Sequence, residues 1–408
     1  MGILERIKDI ETEMARTQKN KATMSHLCRL KAQLAKLRSE LLDPSKGSSS
    51  GPGEGFEVSK TGSARIALIG FPSVGKSTLL SELTDTESEQ AHFEFTTLTC
   101  IPGNIYYKGT KLQLLDLPGI IEGAAHGKGR GRQVIACAKS ADLVLMVLDA
   151  AKENLKNHRE ILERELEVVG MRLNKSPANI YFKKKKDGGV KFNAGGFKLQ
   201  HFGDNPEKTV KSILAEYKIH NAEILFREDC TPDELIDLVE GNRKYVKCLY
   251  VYNKADIVSL EDVDKLAKKP HSLVISCNLK LGYDYLLQKV WEYLGLVRIY
   301  TKKRGQPPDW EEPVVLTSLR HGISVESACM QVHRSLVDDF HFAYVWGTST
   351  KHNPQRVGLS HECQDEDVVQ IVKKTNTQIK RDKNYNERVQ AHYDAQKAKK
   401  KGKGKLKT

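Results

Sequence analysis

The 408-residue chain predicts an α/β protein centred on a doubly wound, mostly parallel sheet. Three observations carry that prediction. Five short runs rich in Val, Ile and Leu recur between amphipathic stretches, the pattern of strands buried on both faces. The first run ends in the glycine-containing loop "GFPSVGKS" (70–77), which opens the helical pattern "STLLSEL". The third and fourth runs lie roughly 100 residues apart, far more than one crossover helix requires, so a further unit is inserted between them.

Residues 1–43 read as a helical hairpin. Leu27, Leu30, Leu34, Leu37 and Leu41 repeat at heptad spacing, and Ile3, Ile7, Ile10 and Met14 form a matching stripe on the preceding helix. The polar turn "RTQKNKAT" (16–23) joins them, with Thr23 the expected N-cap. Such a pair either packs within the chain or offers half of a partner interface. Residues 44–62 include "PSKGSSSGPGEG", a linker composition.

Strands are expected at 64–69, 111–116, 141–149, 248–253 and 272–277, with "YDYLLQKVWEYL" (283–294) as the closing helix. These place the central α/β domain at 63–170 and 241–295. Inside the gap, 158–170 and 232–241 are helical in pattern. "ANIYFKKKKDGGVKFNA" (178–194) reads as a β-hairpin turning at Asp187-Gly188-Gly189. The insertion is therefore placed at 171–240 as a small α+β domain. A second α+β module follows over 296–373, in the order strand, strand, helix (324–336), strand, strand (368–373).

Charge is concentrated at one end. Residues 374–408 hold twelve Lys/Arg against three Asp/Glu, so they supply +9 of the net +13 and read as a basic disordered tail suited to nucleic acid or anionic surfaces. Two further basic places, Arg16/Lys19/Lys21 and Lys183–Lys186, suit either RNA phosphates or ordinary solvated surface. No apolar run approaches the ~20 residues of a membrane helix, and the first residues lack a secretory leader's apolar centre. Position 6 is Arg6, where myristoylation at Gly2 wants Ser or Thr. The eight cysteines form no C-x-x-C pair, which favours reduced thiols and a cytoplasmic location over a zinc site or disulfide framework.

The chemistry lies in four ordered motifs. "GFPSVGKS" fits G-x-x-x-x-G-K-[ST] in its required strand-to-helix context. Gly70, Phe71, Pro72, Ser73, Val74 and Gly75 would wrap a nucleotide's phosphates; Lys76 would neutralise the β/γ oxygens, Ser77 would ligate Mg²⁺, and Thr78 follows in the helix. "FEFTTLTC" (93–100) stands where a switch loop belongs, with Phe95, Thr96 and Thr97 at the nucleotide and Thr97 completing the metal shell. In "DLPG" (116–119), Asp116 would hold Mg²⁺ through water and the Gly119 amide would meet the γ-phosphate. "NKAD" (253–256) specifies guanine: Asp256 accepts from N1–H and the exocyclic amine, Asn253 supports the loop, and the Lys254 stem covers the ring. Ser276, Cys277 and Asn278 end the next strand, where a backbone amide meets the guanine O6. The expected catalytic set is Lys76, Thr97, Asp116 and Gly119. Ile120 follows it, where many GTPases carry a water-orienting glutamine. Weak intrinsic turnover is expected, with another group orienting the water, from residues 121–133 or from outside the chain.

"GFPSVGKSTLL", "FEFTTLTCIPG", "LLDLPGIIEGA", "GKGRGRQVIA" and "YVYNKAD" together resemble the developmentally regulated GTP-binding proteins of the Obg superfamily. The similarity extends from residue 1 to about 373, and "FREDCTPDELID" and "YTKKRGQ" are closer to the second of the family's two eukaryotic groups. The resemblance implies an inserted domain like the second domain of ribosomal protein S5, and a C-terminal TGS domain of β-grasp form. It also implies work on the ribosome through rRNA or tRNA, an RWD-domain regulatory partner, and a monomer or a heterodimer with that partner. Lys21 is the position of the family's lysine hydroxylation. In the family an apolar residue at Ile120 is normal. Potassium-activated relatives place an asparagine where this chain has Ser73, so K⁺ joins GTP and Mg²⁺ as a cofactor to test. Two readings follow: a slow, stimulated GTPase switch on ribosomes, or a GTP-binding RNA or ribosome scaffold with negligible turnover. A third, more distant reading is an RNA-binding module whose nucleotide only stabilises the fold.

Overall fold

The computed structural model describes residues 2–42, 62–84, 101–117, 137–152, 155–196, 199–318 and 322–375. Two compact units divide them: the first takes the described residues of Met1–Tyr106 and Lys111–Tyr293, the second those of Tyr107–Thr110 and Leu294–Thr408.

The first unit is built on a seven-stranded sheet. Its strands are β1 (Ala64–Ile69), β2 (Ile101–Tyr107), β3 (Thr110–Asp116), β4 (Leu143–Asp149), β5 (Met171–Leu173), β9 (Lys244–Asn253) and β10 (Ser272–Val274), in the order β10-β9-β4-β1-β3-β2 with β5 paired to β9. β1, β3 and β4 lie in parallel register, as do β4, β9 and β10. All six residues of β1 and all seven of β4 are buried, which is why, Arg65 and the terminal Asp149 apart, they read as apolar runs. Helices α3 (Lys76–Leu83), α4 (Leu155–Val169), α7 (Leu260–Ala267) and α8 (Tyr283–Leu294) alternate with the strands. Leu162 and Leu166 of α4 and Leu266 of α7 share a core cluster with Ala67, Ile69, Val144, Met146 and Leu148. β2 was not legible as a strand, because "IPGNIYY" carries Pro and Gly; both are tolerated at the sheet edge it occupies.

The insertion leaves the sheet after β5 and returns through β9, with Met171 opposite Lys244. Residues 171–173 thus belong to the large sheet, three residues beyond the expected boundary. The inserted unit contains β6 (Ile180–Lys184), β7 (Val190–Asn193), α5 (Pro206–Glu216), β8 (Ala222–Phe226) and α6 (Pro232–Glu240).

The expected β-hairpin over 178–194 does not form. β6 and β7 flank β8, antiparallel and parallel to it respectively, so the two strands are not neighbours. Asn221 directs the chain across the start of β8: it accepts from the Gly189 amide at 3.0 Å and donates to the Lys186 carbonyl at 2.7 Å. Ala222, Ile224 and Phe226 are fully buried, so β8 takes the centre, while lysine-bearing β6 and β7 suit edges.

The N-terminal helices are α1 (Ile3–Arg16) and α2 (Lys21–Leu42). α2 packs within the chain: Cys28 and Ala32 join the cluster of Phe202, Val210, Ile213 and Phe226, and Lys31 reaches Asp233 at 2.7 Å. Leu27, Leu30 and Leu34 of the leucine seam are also buried. The cap is Asn20 rather than Thr23. Asn20 Oδ1 accepts from the Thr23 amide at 2.9 Å and Thr23 Oγ1 accepts from the Asn20 amide at 3.2 Å, a reciprocal pair that puts Thr23 one turn inside.

In the second unit, β11 (Leu296–Thr301), β12 (Val314–Thr317), β13 (Phe340–Trp346), β14 (Gln355–Val357) and β15 (Asp367–Lys373) form a mixed sheet in the order β12-β11-β15-β13-β14. β11 and β15 are parallel and the other pairs antiparallel. The helix expected over 324–336 is broken: α9 (Val325–Val332) ends at an extended His333 and α10 (Ser335–Asp338) restarts the turn. Val325, Ala328 and Cys329 pack on Ile299, Ala343, Val345 and Val369. Cys329 and Cys363 are buried free thiols in this core.

A charged knot ties the insertion to the large sheet. Asp237 on α6 receives two bonds from Arg172 on β5, at 2.6 and 2.9 Å, and Arg243 Nε lies 3.2 Å from the same carboxylate. Asp237 is 3% exposed and Arg243 7%, so removing the acid leaves Arg172 with only the Glu167 carbonyl and Arg243 with only Glu240. Asp237→Ala should cost about 3–5 kcal/mol, read as lost hydrogen-exchange protection across 174–243 and a lower unfolding midpoint. Unchanged protection there would contradict the assignment.

Candidate functional site

Parallel α/β sheets place ligands beyond the carboxyl ends of their strands. Here the strands end in two matched pairs: Leu68 lies opposite Asp116 in the β1–β3 pair, and Asp149 opposite Asn253 in the β4–β9 pair. The motif residues emerge there because each ends or follows a buried strand.

Gly70 to Gly75 turn from β1 into α3. Ser73 and Gly75 adopt positive φ, +63° and +94°, and Gly75 is the residue before the first turn of α3. A Cβ at Gly75 would overlap Asn253 Nδ2, and one at Gly70 would overlap the Val147 carbonyl. Val74 is buried under the loop, Phe71 stacks at 4.6 Å on His158 of α4, and Pro72, Ser73, Ser77 and Thr78 are exposed. Lys76 is held inside the loop, donating to the carbonyls of Gly70 at 2.8 Å and Phe71 at 2.9 Å. Burial pushes the Lys76 ammonium below its ordinary range, with Asp116 pulling it partly back.

Asp116, at the end of β3, accepts from Ser77 Oγ at 3.2 Å through Oδ2. Its Oδ1 is buried with no hydrogen-bond partner among the described residues. Burial raises the Asp116 carboxyl, against the lowering effects of Lys76 and Ser77. This set fits Mg²⁺, a hard cation that takes one or two protein oxygens and completes its shell with phosphate and water. The fit rests on the orphaned carboxylate oxygen and the hydroxyl beside it.

The base-reading side is organised by Asn253. Its Nδ2 donates to the Val74 carbonyl at 2.9 Å; its Oδ1 accepts from the amides of Lys254 at 2.8 Å and Cys277 at 3.0 Å. Lys254 takes a positive φ of 66°, and its Nζ pairs with Asp149 Oδ2 at 2.7 Å, which pins the side chain that would lie along a base. Asp256 is exposed and held by Ser276 Oγ at 2.5 Å and Asn278 Nδ2 at 3.4 Å. The Ser276 bond comes first among the causes that keep the Asp256 carboxyl below its usual range.

The structure thus brings Gly70–Thr78, Asp116, Asn253–Asp256 and Ser276–Asn278 to one edge. Phe95, Thr96, Thr97, Gly119 and Ile120 lie outside the described residues, as do most of the linker and nearly all of the basic tail. Asp149 was not singled out from sequence. Its signal was available: β4 is an apolar run that ends in a lone carboxylate, in register with the asparagine of "NKAD".

Two outcomes follow. Gly75→Ala, strained at φ +94° and overlapping Asn253, should lower GTP affinity by on the order of 10–100-fold in a titration with fluorescent GTP; affinity within about two-fold of wild type would contradict the cradle geometry. Asp256 must be ionised to accept from guanine, so affinity falls as pH drops through its pKa. Ser276→Ala removes the hydroxyl that stabilises the charged form, and the acid limb of the GTP-affinity profile should move to higher pH. An unmoved limb would remove Ser276 from that role.

Similarity to known proteins runs over 92% of the chain. A family model described as "50S ribosome-binding GTPase" matches residues 65–184, its C-terminal region matches 187–296, and the TGS domain matches 297–373. The chain is 65% identical over 374 residues to "Developmentally-regulated G-protein 1" of Arabidopsis thaliana, covering 92% of each. It is 63% identical to "Developmentally-regulated GTP-binding protein 2" of Homo sapiens, covering 92% of this chain and all of the human one. A Dictyostelium discoideum protein, "Developmentally-regulated GTP-binding protein 2 homolog", is 59% identical over the same share. With the phosphate loop, the guanine-type motif and the C-terminal TGS domain in one chain, this protein belongs to the developmentally regulated GTP-binding protein family and is a GTPase of that family.

Proposed function

We propose that the chain is a slow GTP-hydrolysing switch that works on the ribosome, with GTP bound along the strand ends and turnover raised by a ribosomal, protein or monovalent-cation partner. The observation that carries this reading is the buried, unpartnered Asp116 Oδ1 beside Ser77 Oγ and Lys76. A carboxylate so placed costs stability unless a cation completes it.

Phosphoryl transfer depends mainly on positioning and charge stabilisation. The turn from Gly70 to Gly75 would offer its backbone amides to the phosphates, and the start of α3 would add its dipole. Lys76, already desolvated, would exchange its two carbonyl partners for phosphate oxygens. Mg²⁺, when bound, supplies positive charge on those oxygens; Ser77 would ligate it and Asp116 would hold it through water. Asn253 and Asp149 fix the base loops, and Asp256 selects guanine over adenine by accepting two hydrogen bonds that adenine cannot donate. Thr97 and Gly119 would report the γ-phosphate. Ile120 offers no side-chain hydrogen bond for the attacking water, which supports slow intrinsic turnover and a water-orienting group supplied by residues 121–133 or from outside.

Ribosome work is supported by the likeness to a family described as ribosome-binding GTPases and by the basic residues 374–408. An RWD-domain partner, K⁺ stimulation with Ser73 in the loop, modification at Lys21 and a cytoplasmic location belong to the same reading. No helix among the described residues is long and apolar enough to cross a membrane.

Single-turnover GTP hydrolysis tests the proposal, measured alone, in K⁺ against Na⁺, and with purified ribosomes. Slow hydrolysis that rises about ten-fold or more in one of these conditions is expected. No turnover in any of them leaves only the scaffold reading. Asp116→Asn should slow the stimulated rate by roughly 100-fold and raise the Mg²⁺ requirement; an unchanged rate would remove Asp116 from the reaction.

A further inference from the structure

α4 begins at the phosphate loop and ends at the charged knot of the insertion. Its first turn carries His158, whose ring lies 4.6 Å from that of Phe71 and is tilted by 38° to it. Both residues are half-buried. The Phe71 carbonyl is also one of the two acceptors that hold Lys76, at 2.9 Å. Phe71 is therefore held twice, by His158 through its ring and through its carbonyl by the ammonium that a phosphate would draw away.

Between its ends the helix is fixed to the sheet. Leu162, Leu166 and Val169 are fully buried, and Glu163 accepts from the Tyr250 hydroxyl of β9 at 2.5 Å. Arg159 donates to the same carboxylate at 2.9 Å and lays its guanidinium over the Tyr250 ring at 3.7 Å. The fifteen residues of α4 span about 22 Å. A helix so held shifts as one body, by a small slide against its neighbours.

The last turn meets the knot. Arg172 donates through Nη1 to the Glu167 carbonyl at 3.2 Å, and through Nε and Nη2 to Asp237 on α6. One guanidinium thus touches both the end of α4 and the inserted unit. Gly170, just after the helix, accepts from the Lys244 amide at 3.0 Å, and the Arg243 guanidinium lies where its Cβ would be. Lys31 of α2 pairs with Asp233 of α6, so the N-terminal helices are tied to the same unit.

We propose that α4 couples the phosphate loop to the inserted unit, with His158 as the positioning residue at the loop and Arg172 as the contact at the far end. Phosphate takes Lys76 from the Phe71 carbonyl, Phe71 settles anew against His158, and the slide of α4 resets the bonds of Arg172. The inserted unit and the helices packed on it then report whether the loop is filled. The inference rests on nucleotide binding at the loop, and needs neither turnover nor the ribosome.

The test uses the full chain in four forms: wild type, His158→Ala, His158→Phe and Arg172→Lys. Affinity for a non-hydrolysable GTP analogue is titrated first, and hydrogen exchange is then compared with and without saturating analogue. In wild type, binding should change exchange across 167–173 and 237–246 by roughly two-fold or more. His158→Ala should weaken binding by roughly 2- to 10-fold and abolish that change even at saturation. His158→Phe, which keeps a ring, should restore both. Arg172→Lys keeps the charge but loses the fork. Because linkage is reciprocal, it should alter analogue affinity by roughly 2-fold or more, although it lies outside the nucleotide site. Thermal unfolding of each variant guards against misfolding. Wild-type exchange that ignores the analogue overturns the proposal, as does a full exchange response in His158→Ala or unaltered affinity in Arg172→Lys. Absence of analogue binding in wild type would instead overturn the nucleotide site, and the coupling with it.

Discussion

The side chain of Asn253 is the interaction on which the nucleotide site depends. One carboxamide, buried at the end of β9, bonds the Val74 carbonyl of the phosphate loop and the amides of Lys254 and Cys277. Phosphate cradle, base-reading turn and the loop after β10 are thereby fixed to a single group. The same contact explains the glycine before α3, since any side chain at Gly75 would displace the amide. A buried amide with donor and acceptor both satisfied stabilises one geometry and penalises every other, because each orphaned partner would cost about 1–3 kcal/mol.

Around this tie, charges are arranged so that the binding edge is under tension. Lys76 and Asp116 are both partly desolvated, each shifted towards its neutral form and each partly restored by the other. Asp149 clamps Lys254, and Ser276 keeps Asp256 ionised. The site is therefore prepared for a polyanion with a divalent cation at one end and for a hydrogen-bonding base at the other. Preorganised charge of this kind supplies most of what phosphoryl transfer asks of a protein.

Much of this was legible in the sequence, for a physical reason. The phosphate loop, "NKAD" and "SCN" are contiguous segments at the ends of buried strands, and both their chemistry and their context can be read locally. The ties between them cannot. Asn253 meets Val74, and Lys254 meets Asp149, only after the parallel register of β1, β4 and β9 is set. The same limit explains the lost hairpin: 178–194 has hairpin chemistry, yet β8, arriving some 30 residues later, is apolar enough to take the place between its arms. Thr23 looked like a cap because Asn20, three residues earlier, was read as turn.

Asn253→Asp tests the central claim most directly. The variant keeps an oxygen for the Lys254 and Cys277 amides but cannot donate to Val74, and it sets a carboxylate against that carbonyl. Calorimetric titration with GTP and GDP should show both affinities reduced by on the order of 10–100-fold, while hydrogen exchange of the β1, β4 and β9 amides stays as in wild type. Wild-type affinity for both nucleotides in a folded Asn253→Asp protein would contradict the account.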